Sequence, residues 1–287
     1  FYSSAASDGY KRQSTWSHLA AGAVARGWAV AMPNYPLAPD ASIAQITDAI
    51  VRFVTEAAAA VPGPIASSGH SAGGHLACRM LCDDVALPVR GRIARTVSIS
   101  GVHDLRPLTR PQLNATLKLS DADALAESPA QRRPVRGARL IAWVGGDERP
   151  EFIRQSALIA NVWTGLGAAT TSAVAPGRHH FDVIAGLALP DSALTEALLG
   201  GLAQQIGRVQ RRQRRKFLVA RADARPFAAK PHDAGVGAQH LLRGDAAEKH
   251  QHLRVHEFDM PLDEGHADGM FGGRRRAVAG RAPGQRG

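Results

Sequence analysis

Between Trp16 and Gln204 the apolar positions follow two rhythms in alternation: short, nearly continuous apolar runs, and longer segments whose apolar residues recur about every 3.6 positions. The short runs predict strands at Trp28 to Met32, Pro64 to Ser68, Arg95 to Ser100, Arg139 to Val144 and Thr170 to Ala175, each followed by a turn bearing Gly or Pro. The longer segments predict helices over Trp16 to Arg26, Ile43 to Ala60, Gly74 to Cys82, Glu151 to Leu166 and Asp191 to Gln204, the last capped by Asp191 and Ser192. Strands and helices in alternation predict a mostly parallel sheet flanked by helices, an α/β fold.

Both rhythms stop after Gln204. Arg208 to Lys216 holds six basic residues in nine, and all four Trp and all three Tyr lie earlier in the chain. A stretch without large aromatics or amphipathic period does not offset the entropy of folding, so residues 205–287 read as a basic, low-order tail after an ordered domain over 1–204. A nucleic-acid-binding arm and the product of a shifted reading frame are the other readings of the tail. The arginines have no stacking aromatics between them, which argues against a nucleic-acid partner.

Composition adds little until it is divided along the chain. With 287 residues and 45% apolar content, a sizeable core is affordable. The net charge of +10 belongs mostly to the tail: residues 1–204 hold 18 Lys/Arg against 16 Asp/Glu, and residues 205–287 hold 17 against 9. No apolar run approaches the ~18 residues of a membrane span, and no charged-then-apolar leader follows Phe1, so neither export nor a membrane partner is expected. Cys78 and Cys82 lie one helical turn apart, where a shared rigid helix disfavours a disulfide; two reduced, buried thiols fit a cytoplasmic enzyme.

The chemistry centres on Gly69-His70-Ser71-Ala72-Gly73, set between a predicted strand and a predicted helix. That is the pattern of a nucleophile elbow in the α/β-hydrolase fold: the turn is so tight that Gly69 and Gly73 allow close backbone approach, and the serine hydroxyl stands above the sheet at a helix amino terminus. A serine hydroxyl needs a histidine to take its proton and a carboxylate to orient that histidine, and in this fold they follow in the order Ser, acid, His. After the fourth predicted strand stand Asp147 and Glu148; after the fifth stand His179 and His180. Spacing leaves open which member of each pair serves. The backbone N–H of Ala72 is the expected oxyanion donor.

Other candidates have plainer readings. His75 packs or hydrogen-bonds one turn into the elbow helix, and His18 lies on a surface helix. His103 and Asp104 either line a substrate pocket or form a turn in which the Asp side chain bonds the backbone. No His/Cys/Asp cluster has metal-ligand spacing, and no cofactor is expected.

Taken together, Ala29 to Pro39 (AVAMPNYPLAP), Gly69 to Ala77 (GHSAGGHLA), Ser100 to Leu108 (SGVHDLRPL), Asn114, Ser128-Pro129, Pro150 to Ser156 (PEFIRQS) and His180 to Leu187 (HFDVIAGL) resemble the kynurenine formamidase, or arylformamidase, branch of the α/β hydrolases, beside the hormone-sensitive-lipase-like esterases. The resemblance runs over about residues 1–200. By position relative to Phe152 and Phe181 it implies Glu148 and His180 as acid and base, with Asp147 in reserve. It also implies a small-molecule substrate, N-formyl-L-kynurenine, cleaved to kynurenine and formate. His103, Trp143 and Trp163 are candidates for the pocket, the core being the commoner place for a large aromatic. The family's His-Gly-Gly oxyanion loop does not occur in the sequence, and Phe1-Tyr2 resembles the aromatic pair that follows it. On that reading the first three strands of the fold are missing. The edges of the Trp28 and Pro64 strands are then unpaired, and poor folding and low activity are expected. A short-acyl carboxylesterase and an inactive hydrolase fragment are the competing readings.

Overall fold

The computed structural model describes residues 2–4 and 16–202. Five parallel strands form one sheet in the order of the chain: β1 (Tyr2–Ser4), β2 (Ile65–His70), β3 (Ile93–Ile99), β4 (Arg139–Gly145) and β5 (Ala169–Ala175). Helices fill the crossovers. They are α1 (Ala21–Ala25, entered through a 3₁₀ turn at Ser17–Ala20), α2 (Ile43–Ala60), α3 (Ala72–Arg79), α4 (Pro111–Leu117), α5 (Asp121–Glu127), α6 (Pro150–Gly165) and α7 (Ala193–Leu199).

Alternation along the strands divides the core into two layers. Leu140 and Ala142 of β4 pack with Ile50 and Val54 of α2, Leu76 of α3, and Ile159 and Trp163 of α6. Val97 and Ile99 of β3 and Ala66 of β2 pack on the opposite face with Leu19, Leu194 and Leu198. Trp163 anchors the first layer: it is fully buried, and its indole N–H is shared between the carbonyls of Pro129 (3.1 Å) and Arg132 (3.2 Å). Cys78 and Cys82 are buried there as free thiols.

Local chemistry sets the helix ends. Ser42 and Gln45 close a capping box at the start of α2, and the Arg92 guanidinium takes the carbonyls of Ala58, Val61 and Gly63 at its end. Ser192, not Asp191, is the cap of α7, its hydroxyl accepting the Thr195 N–H at 3.0 Å. Buried Arg79 forks onto Asp84 (3.0 and 3.1 Å) and reaches Glu127 (3.1 Å), which also accepts from Thr47, tying α2, α3 and α5 together.

The strand expected at Trp28 to Met32 is not formed. A strand exists only beside a partner, and among the described residues the outer edge of β2 is taken by Tyr2–Ser4, with Ser4 level with His70. The apolar run at 28–32 is nonetheless inward-packed: Met32 is buried, and Trp28 and Val30 rest against the second layer. An apolar pocket lined by Leu19, Ala23, Trp28, Val30 and Leu198 lies beneath it. The edge of the Pro64 strand, expected to be unpaired, is thus paired over three residues, because an open ladder edge accepts any extended segment that reaches it. Residues 205–287 lie outside the described residues.

Candidate active site

Ser71 alone joins β2, which ends at His70, to α3, which begins at Ala72. Its backbone sits at φ 55°, ψ −118°, a conformation that side-chain-bearing residues rarely adopt, and it is held there by neighbours on both sides. The Ser71 N–H donates to Ile99 O at 2.9 Å, and its carbonyl accepts from Gly74 N–H (3.0 Å) and His75 N–H (3.2 Å). The helix can press this close because Gly74 has no side chain: a Cβ there would lie 2.6 Å from Ser98 Oγ and 2.8 Å from Gly101 Cα. Ala72 is exposed as the first residue of α3, so its N–H is among the donors that a helix leaves without an internal partner.

The ends of β4 and β5 bring the acid and histidine together. Gly146 N–H donates to Ala175 O (2.8 Å) and Asp147 N–H to Arg178 O (3.0 Å), zipping the two following loops. That turn leaves the Asp147 side chain exposed and Glu148 directed inward, its side chain wholly covered. Glu148 Oε2 accepts from His180 Nδ1 at 2.7 Å, while Oε1 accepts from Gly145 N–H at 2.8 Å and from the Ser100 hydroxyl. Burial pushes the Glu148 carboxyl up, but the bonds from His180, Ser100 and Gly145 outweigh it and hold the group below the usual carboxylate range. His179 is exposed beside Asp182, which accepts its backbone N–H at 2.7 Å.

The His180 ring stacks on Phe152 at 4.1 Å between centroids, meets Phe181 edge-on at 5.5 Å, and lies 4.5 Å from the ring of His70. His70 immediately precedes Ser71, so this contact joins the acid–histidine pair to the elbow. Burial pushes the His70 pKa down to about 3, assisted by His180, which keeps His70 neutral at ordinary pH.

The remaining sequence candidates are placed mainly in the core. His103 is fully buried beneath Gly101, with Nε2 3.3 Å from Ser98 Oγ, and burial lowers its pKa to about 3; this is a packing position, not a surface a substrate reaches. Trp143, on β4, is partly buried in the second layer, and Trp163 is core. His75 bonds the Val102 carbonyl from Nδ1 at 3.0 Å, and His18 is exposed. Asp104 takes the turn reading, its Oδ1 accepting the Arg106 N–H at 3.2 Å. Among the described residues no group of three or more His, Cys, Asp or Glu could hold a metal ion, and no helix is long and apolar enough to cross a membrane.

Sequence reasoning assigned no role to three residues that build the site. Ser100 grips Glu148; Phe152 carries the His180 ring; Gln155 holds the loop after β3, accepting from the N–H groups of His103 (2.8 Å) and Asp104 (2.7 Å). A helical projection signals the last two, since Phe152 and Gln155 are three positions apart on α6 and share a face. Ser100 follows a buried strand, and only its backbone conformation reveals its task.

No family model matches the chain. A kynurenine formamidase from Salmo salar is 29% identical over 187 residues, covering 61% of this chain and 63% of that protein. The chain thus spans a little under two thirds of this curated relative. The crystal structure of a proposed thioesterase from Silicibacter sp. is 42% identical and superposes with a TM-score of 0.63 over 69% of this chain and 74% of its own. An esterase from Pyrobaculum calidifontis shares the fold at 17% identity, with a TM-score of 0.53 over 72% and 76%. The parallel sheet, the strand–serine–helix turn and these likenesses agree: the chain has the α/β-hydrolase fold and is similar to a proposed thioesterase, a kynurenine formamidase and an esterase.

Proposed function

We propose that the protein is a serine hydrolase of aryl formamides, acting on N-formyl-L-kynurenine or a close analogue. The observation that carries this reading is the 2.7 Å bond between His180 Nδ1 and the buried Glu148 carboxylate, beside a serine held at positive φ between a strand and a helix. An ionised carboxylate only accepts, so the Nδ1 proton stays on His180 and Nε2 is left as the base. Ser71 Oγ attacks the formyl carbon and passes its proton to that nitrogen. Glu148 stabilises the imidazolium, and the Ala72 N–H donates to the oxyanion. His180 then returns the proton to the aniline nitrogen as the C–N bond breaks. Water, deprotonated by His180, releases formate from the serine ester and restores the Ser71 hydroxyl.

An aryl substrate is supported by Phe181, which is 56% exposed next to His180 and offers a ring face to an incoming aromatic. Because the 42% identical structure is a proposed thioesterase, cleavage of short acyl esters or thioesters by the same residues is the second reading. The hydrolase unit is residues 1–204, with 205–287 dispensable. Steady-state rates on a formyl anilide, a butyryl ester and a butyryl thioester decide between the readings. The proposal expects formyl anilide turnover to dominate; preference for either butyryl substrate moves the assignment to the second reading.

A further inference from the structure

The serine at the end of β3 is the least expected part of the site. We infer that Ser100 is a positioning residue for the acid, an inference that rests on the proposed roles of Ser71, His180 and Glu148. The Glu148 carboxylate divides its two oxygens between two tasks: Oε2 faces His180, and Oε1 is anchored by Gly145 N–H and the Ser100 hydroxyl. Since an ionised carboxylate cannot donate, Ser100 is the donor. Both partners are out of water's reach, Ser100 fully buried and the Glu148 side chain fully covered, so solvent does not replace the bond when it is lost.

The backbone shows what this arrangement costs. Ser100 sits at φ 49°, in the left-handed region where glycine is at ease and a serine is strained. Its N–H is fixed to Trp143 O at 2.7 Å, and the next residue, Gly101, has no room for a Cβ, which would lie 2.6 Å from His103 Cε1. β3 therefore ends in a second sharp turn, one strand over from Ser71. Here too a serine at positive φ has its side chain committed, this time to a carboxylate. A glycine would satisfy the backbone better; what it lacks is the hydroxyl on Oε1. Without that donor the carboxylate is free to rotate, and the Oε2 to His180 bond loses its fixed direction.

The test compares the full chain with Ser100→Gly, Ser100→Ala and Ser71→Ala. The substrate is a formyl anilide, and the downfield imidazole N–H resonance of His180 is followed by NMR. The inference expects Ser100→Gly to melt cooperatively within a few degrees of the parent, relief of the backbone strain offsetting part of the lost bond. Its kcat should fall about 10- to 100-fold at nearly unchanged KM, with the downfield resonance shifted or broadened. Ser100→Ala should show the same loss of kcat. Ser100→Gly with parental kcat and an unmoved resonance, while Ser71→Ala is inactive, overturns the role of Ser100 and leaves the hydrolase reading standing. A loss of activity that tracks a lower melting temperature with the resonance unmoved also overturns it, since that is the mark of a structural residue. Full activity in Ser71→Ala overturns both.

Discussion

The two sides of the sheet are built to different standards. From β2 to β5 the ladders run four to seven residues, every loop at the carboxyl ends is bonded to its neighbour, and Glu148, His180, Ser71 and Ser100 all stand on that side. Beyond β2 the ladder shrinks to the three residues of β1, and the apolar segment at 28–32 is packed against the second layer without joining a strand. Burial can be had from side chains alone, whereas a strand needs a partner of matching length. The difference teaches that the acid–histidine geometry rests on the later side, while the early side contributes packing.

The sharpest attempt to break this contrast is removal of the proposed nucleophile or base. Ser71→Ala and His180→Ala should each cost roughly 10⁴-fold or more in turnover, because such residues act as a unit. A Ser71→Ala enzyme that keeps a tenth of its rate ends the assignment. Next is the acid: Glu148→Gln should approach 10⁴-fold, while Asp147→Asn, with its side chain exposed, should leave kcat within about twofold. The reverse ranking in the same assay moves the role to Asp147.

Stability should divide along the same line. Trp163→Ala removes a fully buried indole with two hydrogen bonds and should cost about 3–5 kcal/mol. Trp28→Ala, partly buried beside the unpaired segment, should cost about 1 kcal/mol. Urea unfolding of both variants checks the pair, and equal losses would erase the contrast.

Acid should then sharpen it. His70, His75 and His103 are held neutral by burial, down to about 3, 4 and 3, while the unfolded chain protonates them near 6.5. Below about pH 6.5 the unfolded state takes up protons that the folded state refuses, so stability falls as pH falls toward 4. Glu148 acts in the same direction, its stabilisation present above the usual carboxylate range and lost as pH drops through its lowered value. The urea midpoint should decline from pH 7 to 5, and more shallowly in His75→Gln. The smallest effect is reserved for the tail: deleting residues 208–287 should leave kcat unchanged.

Much of the later side was legible because its signals are local and redundant. On the early side too, Ile43 to Ala60 is read with the observed bounds, since its apolar period is sustained over a long span. The pairs Asp147/Glu148 and His179/His180 were legible from their places after β4 and β5, whereas only the resemblance singled out Glu148 and His180, the two that the structure joins at 2.7 Å. Trp28 to Met32 was misread because an apolar run reports burial, and whether it is a strand depends on residues far away in the chain. The helices α4 and α5 were missed for being only seven residues each, although Ser120 and Asp123 form a capping box that marks the start of α5. The role of Ser100 depends on a positive φ and a contact 48 positions away, neither of which leaves a trace in periodicity.

The two thiols on and just after α3 offer a clock for the molecule's breathing. Burial removes the reactive thiolate at neutral pH, pushing Cys82 up to about 12 and Cys78 higher still. Alkylation must therefore wait for an excursion that uncovers them, and its rate counts excursions. Both sit on or next to the helix whose first turn holds Ser71, so the slow chemistry of a thiol reagent reports how often the elbow itself comes apart.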